Sequence, residues 1–237
     1  MKSLHLAAVL TSALVASGGS HALTVLSQGF ENVAGLAATG WTFTNNSSAP
    51  LGFDWAQGNS GNFASQTGAL GSYAAANFVS TALSGGDVSN WLITPVLTLD
   101  SSSIVSFFVR SAGAGFLDKL EVRMSTNGAS GNVGSGPSDV GDFTTLLGSF
   151  QSSADGGWVA QNYGVATLVA STNVRLAFRY IVDDTSINGN YLGIDTLTVT
   201  AVPEPGTWLL LGLGLTGLLV RCRPAAKSAP EARRRRR

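Results

Sequence analysis

Apolar and β-branched residues fall in short runs along this chain: WTFT from Trp41, YAAANFVS from Tyr73, NWLITPVLTLD from Asn90, SIVSFFVR from Ser103, DKLEVRMST from Asp118, FTTLLGSF from Phe143, NVRLAFRYIV from Asn173 and YLGIDTLTVT from Tyr191. Clusters of Gly, Asn, Ser and Asp separate them, with turn signals at Asn127-Gly128, Asp155-Gly156-Gly157 and Asn188-Gly189. In VRLAFRYI and LEVRMS the alternation is close to period two, which places one side of each strand in a core and the other toward water. Arg175 and Arg179, four apart, are therefore predicted on the solvated side, and Trp91, opening an apolar block, in the core. No helical stripe of comparable strength occurs outside the termini. About ten short strands with glycine-rich connections predict an all-β fold, an antiparallel jelly-roll β-sandwich flanked by an N-terminal signal helix and a single C-terminal hydrophobic helix. The longest low-complexity loop, Thr126 to Asp142, is placed at one end of the sandwich.

The N-terminus reads as a secretory signal over residues 1–22. Lys2 supplies a positive n-region, Leu4 to Val15 is mostly apolar, and Ser20-His21-Ala22 offers the small-x-small pattern of a signal-peptidase site. Residues 23–201 then form the exported domain, long enough for one sizeable core. It carries five basic and twelve acidic residues, a formal charge of −7, whereas the whole chain balances at zero through its arginine-rich end. An acidic domain is a poor match for nucleic acid, whose binding depends on neutralising phosphates with Lys and Arg; glycans, cations or other proteins suit it better. Both histidines, His5 and His21, fall in the signal, and Cys222, the single cysteine, lies beyond the domain. Ser-His-Asp and Cys-His catalysis, His-ligated zinc and internal disulfides are thereby excluded from it. Carboxylate chemistry of the glycosidase kind stays open.

The blocks GFENVAGLAATGWT, WLITPVLTLD, SFFVR, DKLEVRMST, VRLAFRY and YLGIDTLTV, with Trp55 and Trp158 between them, resemble the exported domain called choice-of-anchor J, related to cleaved-adhesin and MAM-type jelly rolls. The likeness covers roughly Gly29 to Thr200, and Trp91-Leu92-Ile93-Thr94-Pro95 is its most specific element. It implies a jelly roll on a bacterial surface protein. It also implies one structural calcium ion where the first strand meets the last, with Glu31 and Asp195 as the carried-over ligands; hard cations take several oxygen ligands. The family often ends in two adjacent acids, and here Thr196 stands in the second place. The other reading of these residues is an acidic pair satisfied by backbone amides or by arginine.

Of the domain's tryptophans, Trp55 and Trp158 sit beside Asp54 and Gly157 in loop-like contexts and are the candidates for stacking on sugar rings. Asp183-Asp184 reads as a strand-end turn. No carboxylate stands in a recognisable catalytic motif, so catalytic residues are not assigned.

Beyond the domain, Thr207 to Val220 is apolar or small for fourteen residues. As a helix it reaches about 21 Å at about 1.5 Å per residue, against a hydrocarbon core of about 30 Å. Arg221, Arg223, Lys227 and Arg233 to Arg237 would hold its end in the cytoplasm. Val202-Pro203-Glu204-Pro205, an apolar helix over about 207–220 and then arginines resemble the PEP-CTERM sorting signal, spanning 202–223 and followed by a basic tail, 224–237. The resemblance implies transient residence in the inner membrane of a Gram-negative bacterium and cleavage near the Pro-Glu-Pro block by exosortase. The two prolines neither continue a helix nor donate a backbone N–H, so they hold the segment extended for a protease. An ordinary single-span anchor is the alternative. Together these readings predict a non-enzymatic protein of the cell surface or extracellular matrix, binding polysaccharide or neighbouring surface components in adhesion or biofilm; a purely structural matrix component and a carboxylate-dependent glycan hydrolase are the alternatives.

Overall fold

The computed structural model describes residues 22–201 except 114 and 153–155. The expected signal over 1–22, apart from Ala22, lies outside the described residues, as do the sorting segment with Val202, Pro203, Glu204 and Pro205, the apolar helix and the basic tail. Among the described residues no helix is long and apolar enough to cross a membrane.

Twelve strands follow one another, β1 (Leu23–Gln28), β2 (Thr42–Asn45), β3 (Ala56–Gln57), β4 (Ala74–Asn77), β5 (Val88–Ile93), β6 (Leu97–Leu99), β7 (Ile104–Ser111), β8 (Lys119–Ser125), β9 (Thr145–Gln151), β10 (Val159–Gly164), β11 (Thr172–Val182) and β12 (Tyr191–Ala201), with two 3-10 turns at Val33–Thr39 and Phe78–Ser80. All pairings are antiparallel. The first sheet runs β10-β7-β12-β4-β3, with β1 added to the far half of β12; the second runs β2-β5-β11-β8-β9, with β6 added to the start of β11. This is the antiparallel jelly-roll sandwich that the alternation predicts. NWLITPVLTLD becomes two strands because Pro95 has no N–H for the ladder. At the break the Thr94 hydroxyl accepts from Leu176 N at 3.0 Å and donates to Pro95 O at 2.9 Å.

The core lies between the sheets. Val105, Phe107 and Val109 of β7 and Leu192, Ile194, Leu197 and Val199 of β12 face Leu92 of β5, Leu120 and Val122 of β8 and Leu176 and Phe178 of β11. Phe107 and Phe178 meet edge-on across the interface at 5.2 Å between centroids.

The outer face of the second sheet departs from the alternation rule. β11 is buried on both sides from Val174 to Tyr180, and Arg175 and Arg179, expected in solvent, are only 7% and 2% exposed. The reason is the 126–142 segment, which lies across this face instead of at one end of the sandwich. Its Val133 and the following Phe143 pack on Trp91, Ile93 and Ala177 as a second apolar cluster. Trp91 is thus buried, as expected, but under the loop. Arg175 donates to Thr94 O (2.6 Å), Ser130 O (3.2 Å), Gly40 O (3.0 Å) and Thr42 Oγ1 (2.8 Å). Arg179 donates to Ser89 Oγ (3.0 Å), Glu121 Oε2 (3.1 Å) and the Pro137 carbonyl, its guanidinium 5.0 Å from the Trp91 ring centre. Asp139 and Asp142 organise the loop by accepting from Ser135 N, Gly136 N and Ser130 Oγ at 2.9, 2.9 and 2.6 Å.

Candidate functional site

With the second sheet sealed, attention moves to the outer face of the first. In SFFVR the period of two sends Phe107 inward and leaves Phe108 outward with Ser106 and Arg110. The register lines Ala160, Phe108 and Asp195 across β10, β7 and β12, and Asn162, Ser106, Thr198 and Ser27 across β10, β7, β12 and β1. Phe108 is half-buried, and Ser106 Oγ donates to Asn162 Oδ1 at 2.7 Å.

The segment between β3 and β4 walls one side of this face. Phe63 stacks on Tyr73 at 4.9 Å between centroids and meets Tyr191 edge-on at 5.5 Å. Trp158 stands at the rim, edge-on to Phe63 (5.5 Å) and Tyr73 (5.6 Å), its indole N–H donating to Ala64 O at 3.0 Å. Gly193 makes this close approach possible: a Cβ there would lie 2.7 Å from the Tyr73 ring and 3.0 Å from Phe63. Burial pushes the Tyr73 hydroxyl well up, reinforced by Tyr191, so it is a neutral donor, to Asn59 O at 2.7 Å.

The same wall is bound to Asp195. This carboxylate is fully buried, with Oδ2 accepting from Gln66 N (2.8 Å) and Thr67 N (3.2 Å) and Oδ1 from Thr196 N (2.6 Å). Burial pushes the Asp195 carboxyl above the ordinary carboxylate value and the three amides offset part of that rise. Thr196 departs from the β-region at φ 52°, in a bulge of β12 against β7, and donates to Gln66 Oε1 at 2.8 Å. Phe30, beside Glu31, has φ 55°, and its carbonyl accepts from Gln57 Nε2 at 2.8 Å. Both acids expected to hold calcium therefore adjoin a non-glycine residue in left-handed backbone, a costly arrangement that a built site sustains. Register brings the segments that carry them side by side, since Gln28 pairs with Leu197. Asp195 is buried with its oxygens satisfied by backbone amides, as the alternative reading of these acids has it, and Glu31 is exposed; a hard cation would add to these carboxylate oxygens several further oxygen ligands. Among the described residues no group of three or more acids, Cys or His gathers at one point, so backbone carbonyls, side-chain amides and water would supply the remaining ligands.

The two candidate tryptophans separate. Trp158 is partly exposed on the face just described. Trp55 is 3% exposed and donates its indole N–H to Asn90 O at 3.1 Å; contrary to expectation it is a core residue with no ring face to offer a sugar. It borders a cavity of about 350 Å³ formed with Val33, Ala37, Phe43 and Asp54. Burial pushes the Asp54 carboxyl up, but the lining is chiefly apolar and lacks the converging polar groups that orient a sugar. Phe108 and Arg110 were missed from sequence. The signal was available, because a Phe-Phe doublet in a period-two strand must put one ring on each face.

Residues 201–223 match the model of the PEP-CTERM protein-sorting motif; the chain carries this signal, which marks an exosortase-sorted surface protein. Comparison with curated proteins gives no match. Among solved structures the K3 cleaved adhesin domain of Lys-gingipain from Porphyromonas gingivalis superposes with TM-score 0.52 and 19% identity over 76% of this chain and 99% of that domain. The K1 domain of the same protein gives 0.52 and 21% over 74% and 97%. These likenesses establish the shared jelly-roll fold.

Proposed function

We propose that the exported domain is a non-catalytic glycan-binding module, sorted through the inner membrane of a Gram-negative bacterium by signal peptidase and exosortase and displayed at the cell surface or in the extracellular matrix. The binding surface is the outer face of the first sheet. The observation that carries this reading is the pairing of two kinds of group on that face: the half-buried Phe108 and Trp158 beside the polar row Asn162, Ser106, Thr198 and Ser27. Aromatic faces cover the C–H side of a pyranose ring, while hydroxyl and amide groups exchange hydrogen bonds with its edge. Phe108 and the polar row stand on strands rather than on free loops, so little ordering entropy is lost on binding.

A hydrolase would need two available carboxylates across the sugar. Asp195, the acid set into this face, is engaged by three backbone N–H groups, so we assign no turnover. We further propose that Glu31 and Asp195 hold one calcium ion at the junction of β1 and β12. The ion would neutralise the buried carboxylate and tie the first strand to the last.

The test is binding of the full chain, in detergent, to a panel of soluble glycans by affinity electrophoresis. Retardation by at least one glycan, reduced about tenfold or more in Phe108→Ala and Trp158→Ala, is expected; loss of one stacking contact and its buried area is worth that much. No retardation by any glycan, or retardation untouched by both substitutions, refutes the assignment. Release of reducing ends would return the hydrolase reading.

A further inference from the structure

Arg110 stands beside this aromatic group in a state unlike the other arginines of the domain. Arg123 is paired with Glu121 at 2.8 Å, Arg179 with Glu121 at 3.1 Å, and Arg175 is lodged among four oxygens. Arg110 makes no hydrogen bond and no ion pair among the described residues, and its Nε is buried without a partner. Its guanidinium carbon lies 4.7 Å from the centre of the Phe63 ring. It belongs to β7 two residues after Phe108, opposite Gly193, over which the Tyr73 and Phe63 rings close.

A guanidinium is a planar fork of donors that stays charged and matches a carboxylate. Held over Phe63 with a buried, unsatisfied Nε–H, it is positioned before any ligand arrives. Resting on the glycan-binding reading of this face, we propose that Arg110 recognises the carboxylate of an acidic sugar, so that the ligand is a uronate-containing polysaccharide. The carboxylate accepts from the Arg110 fork while its ring, or the neighbouring one, covers Phe108 or Trp158. Bulk charge does not mimic this, because the domain is acidic, five basic residues against twelve. Elsewhere the domain's surface repels a polyanion, and because the basic tail of the full chain is the same in Arg110→Gln, the part of an acid preference that this substitution removes reports the local site.

Polygalacturonate and its fully methyl-esterified form share one backbone and differ in the carboxylate charge. The full chain is expected to bind the free acid about 10- to 100-fold more tightly than the ester, the worth of a charge-assisted hydrogen bond. Arg110→Gln should reduce that difference about tenfold or more while leaving ester binding in place. Equal affinity for acid and ester, with binding still lost in Phe108→Ala, overturns the role of Arg110 and leaves the glycan face standing. A preference for the acid that survives Arg110→Gln undiminished also overturns it, as does binding of dextran sulfate in place of polygalacturonate. Failure to bind any glycan, charged or neutral, refutes the underlying reading instead. Should Arg110→Gln fail to fold, Arg110→Lys, which keeps the charge and loses the planar fork, is expected to lose most of the preference, and an unchanged preference in it overturns the role of Arg110.

Discussion

Replacing Arg179 by methionine should unfold the domain at a markedly lower temperature, and the size of the loss follows from its surroundings. The side chain is 2% exposed and reaches Ser89, Glu121 and the Pro137 carbonyl. Methionine retains most of the apolar stem but none of the donors. Glu121 is not stranded, since Arg123 Nε remains 2.8 Å from it; the Pro137 carbonyl and one acceptor position on Ser89 do lose their donors. Breaking a buried pair by removing one partner costs about 3–5 kcal/mol, and the surviving Arg123 points to the lower end, about 3 kcal/mol. At about 2–4 °C per kcal/mol for a domain of this size, Tm should fall by about 6–12 °C. Calorimetry on the purified chain measures it. Lys119→Met is the control: its ammonium is 3.9 Å from Glu121 with the side chain 42% exposed, and a pair so screened is worth under about 1 kcal/mol.

The same network fixes a pH dependence. Burial alone would raise the Glu121 pKa, but the hydrogen bonds and charges of Arg123 and Arg179 outweigh it and hold the carboxyl below its ordinary value of 4.5. A depressed native pKa contributes stability that is complete above the unfolded value and is lost as pH falls through the native one. Tm should therefore decline below about pH 5, and Glu121→Gln should flatten that decline. An Arg179→Met shift no larger than that of Lys119→Met, with an unchanged acid limb in Glu121→Gln, would show that the loop is not held on the sheet by these charges.

Two further outcomes follow from the opposite face. Chelation of divalent cations with EGTA should lower Tm if Glu31 and Asp195 share an ion, and readdition of calcium should restore it; an unchanged melt counts against the ion. Gly193→Val should drive Tyr73 and Phe63 off the sheet, costing about 1–3 kcal/mol in overpacking, and should weaken glycan retardation together with Tm.

The sandwich was legible in the sequence because most of its strands obey period two with one face in water. β7 reads this way without exception, its buried positions alternating from Val105 to Ser111. β11 does not. Arginine at every fourth position of a strand ordinarily marks solvent, and only the fold of a segment forty residues away turned that side inward. Val133, Val140 and Phe143, spaced through a glycine-rich stretch, were the trace of that cover, but no local rule says which surface such residues will meet. β10 escaped notice for the opposite reason: an edge strand with exposed Val159, Ala160, Asn162 and Gly164 carries little hydrophobic pattern. The tryptophans show the limit of neighbourhood arguments. Trp55 and Trp158 both stand in loop-like sequence, yet one indole N–H ends on Asn90 inside the sandwich and the other on Ala64 at its surface.

The asymmetry between the two outer faces has a common cause. The domain contains no cysteine, so segments distant in sequence cannot be joined by disulfides, and the buried arginines do part of that joining. Arg175 ties Gly40 and Thr42 to Thr94 and to Ser130, and Arg179 ties Ser89 to Glu121 and Pro137. Such a layer consumes the part of the face it covers: the two guanidiniums there are engaged with the protein itself. On the first sheet the wall is bound at one end only, through Asp195, Tyr73 and Trp158, and the strands beyond it keep an aromatic ring, a row of hydroxyl and amide groups and one uncommitted guanidinium. The glycan-binding surface protein proposed above, which must stay folded without cross-links and still present donors to a ligand, would be served by this division, in which one sheet carries the fastening and the other stays open.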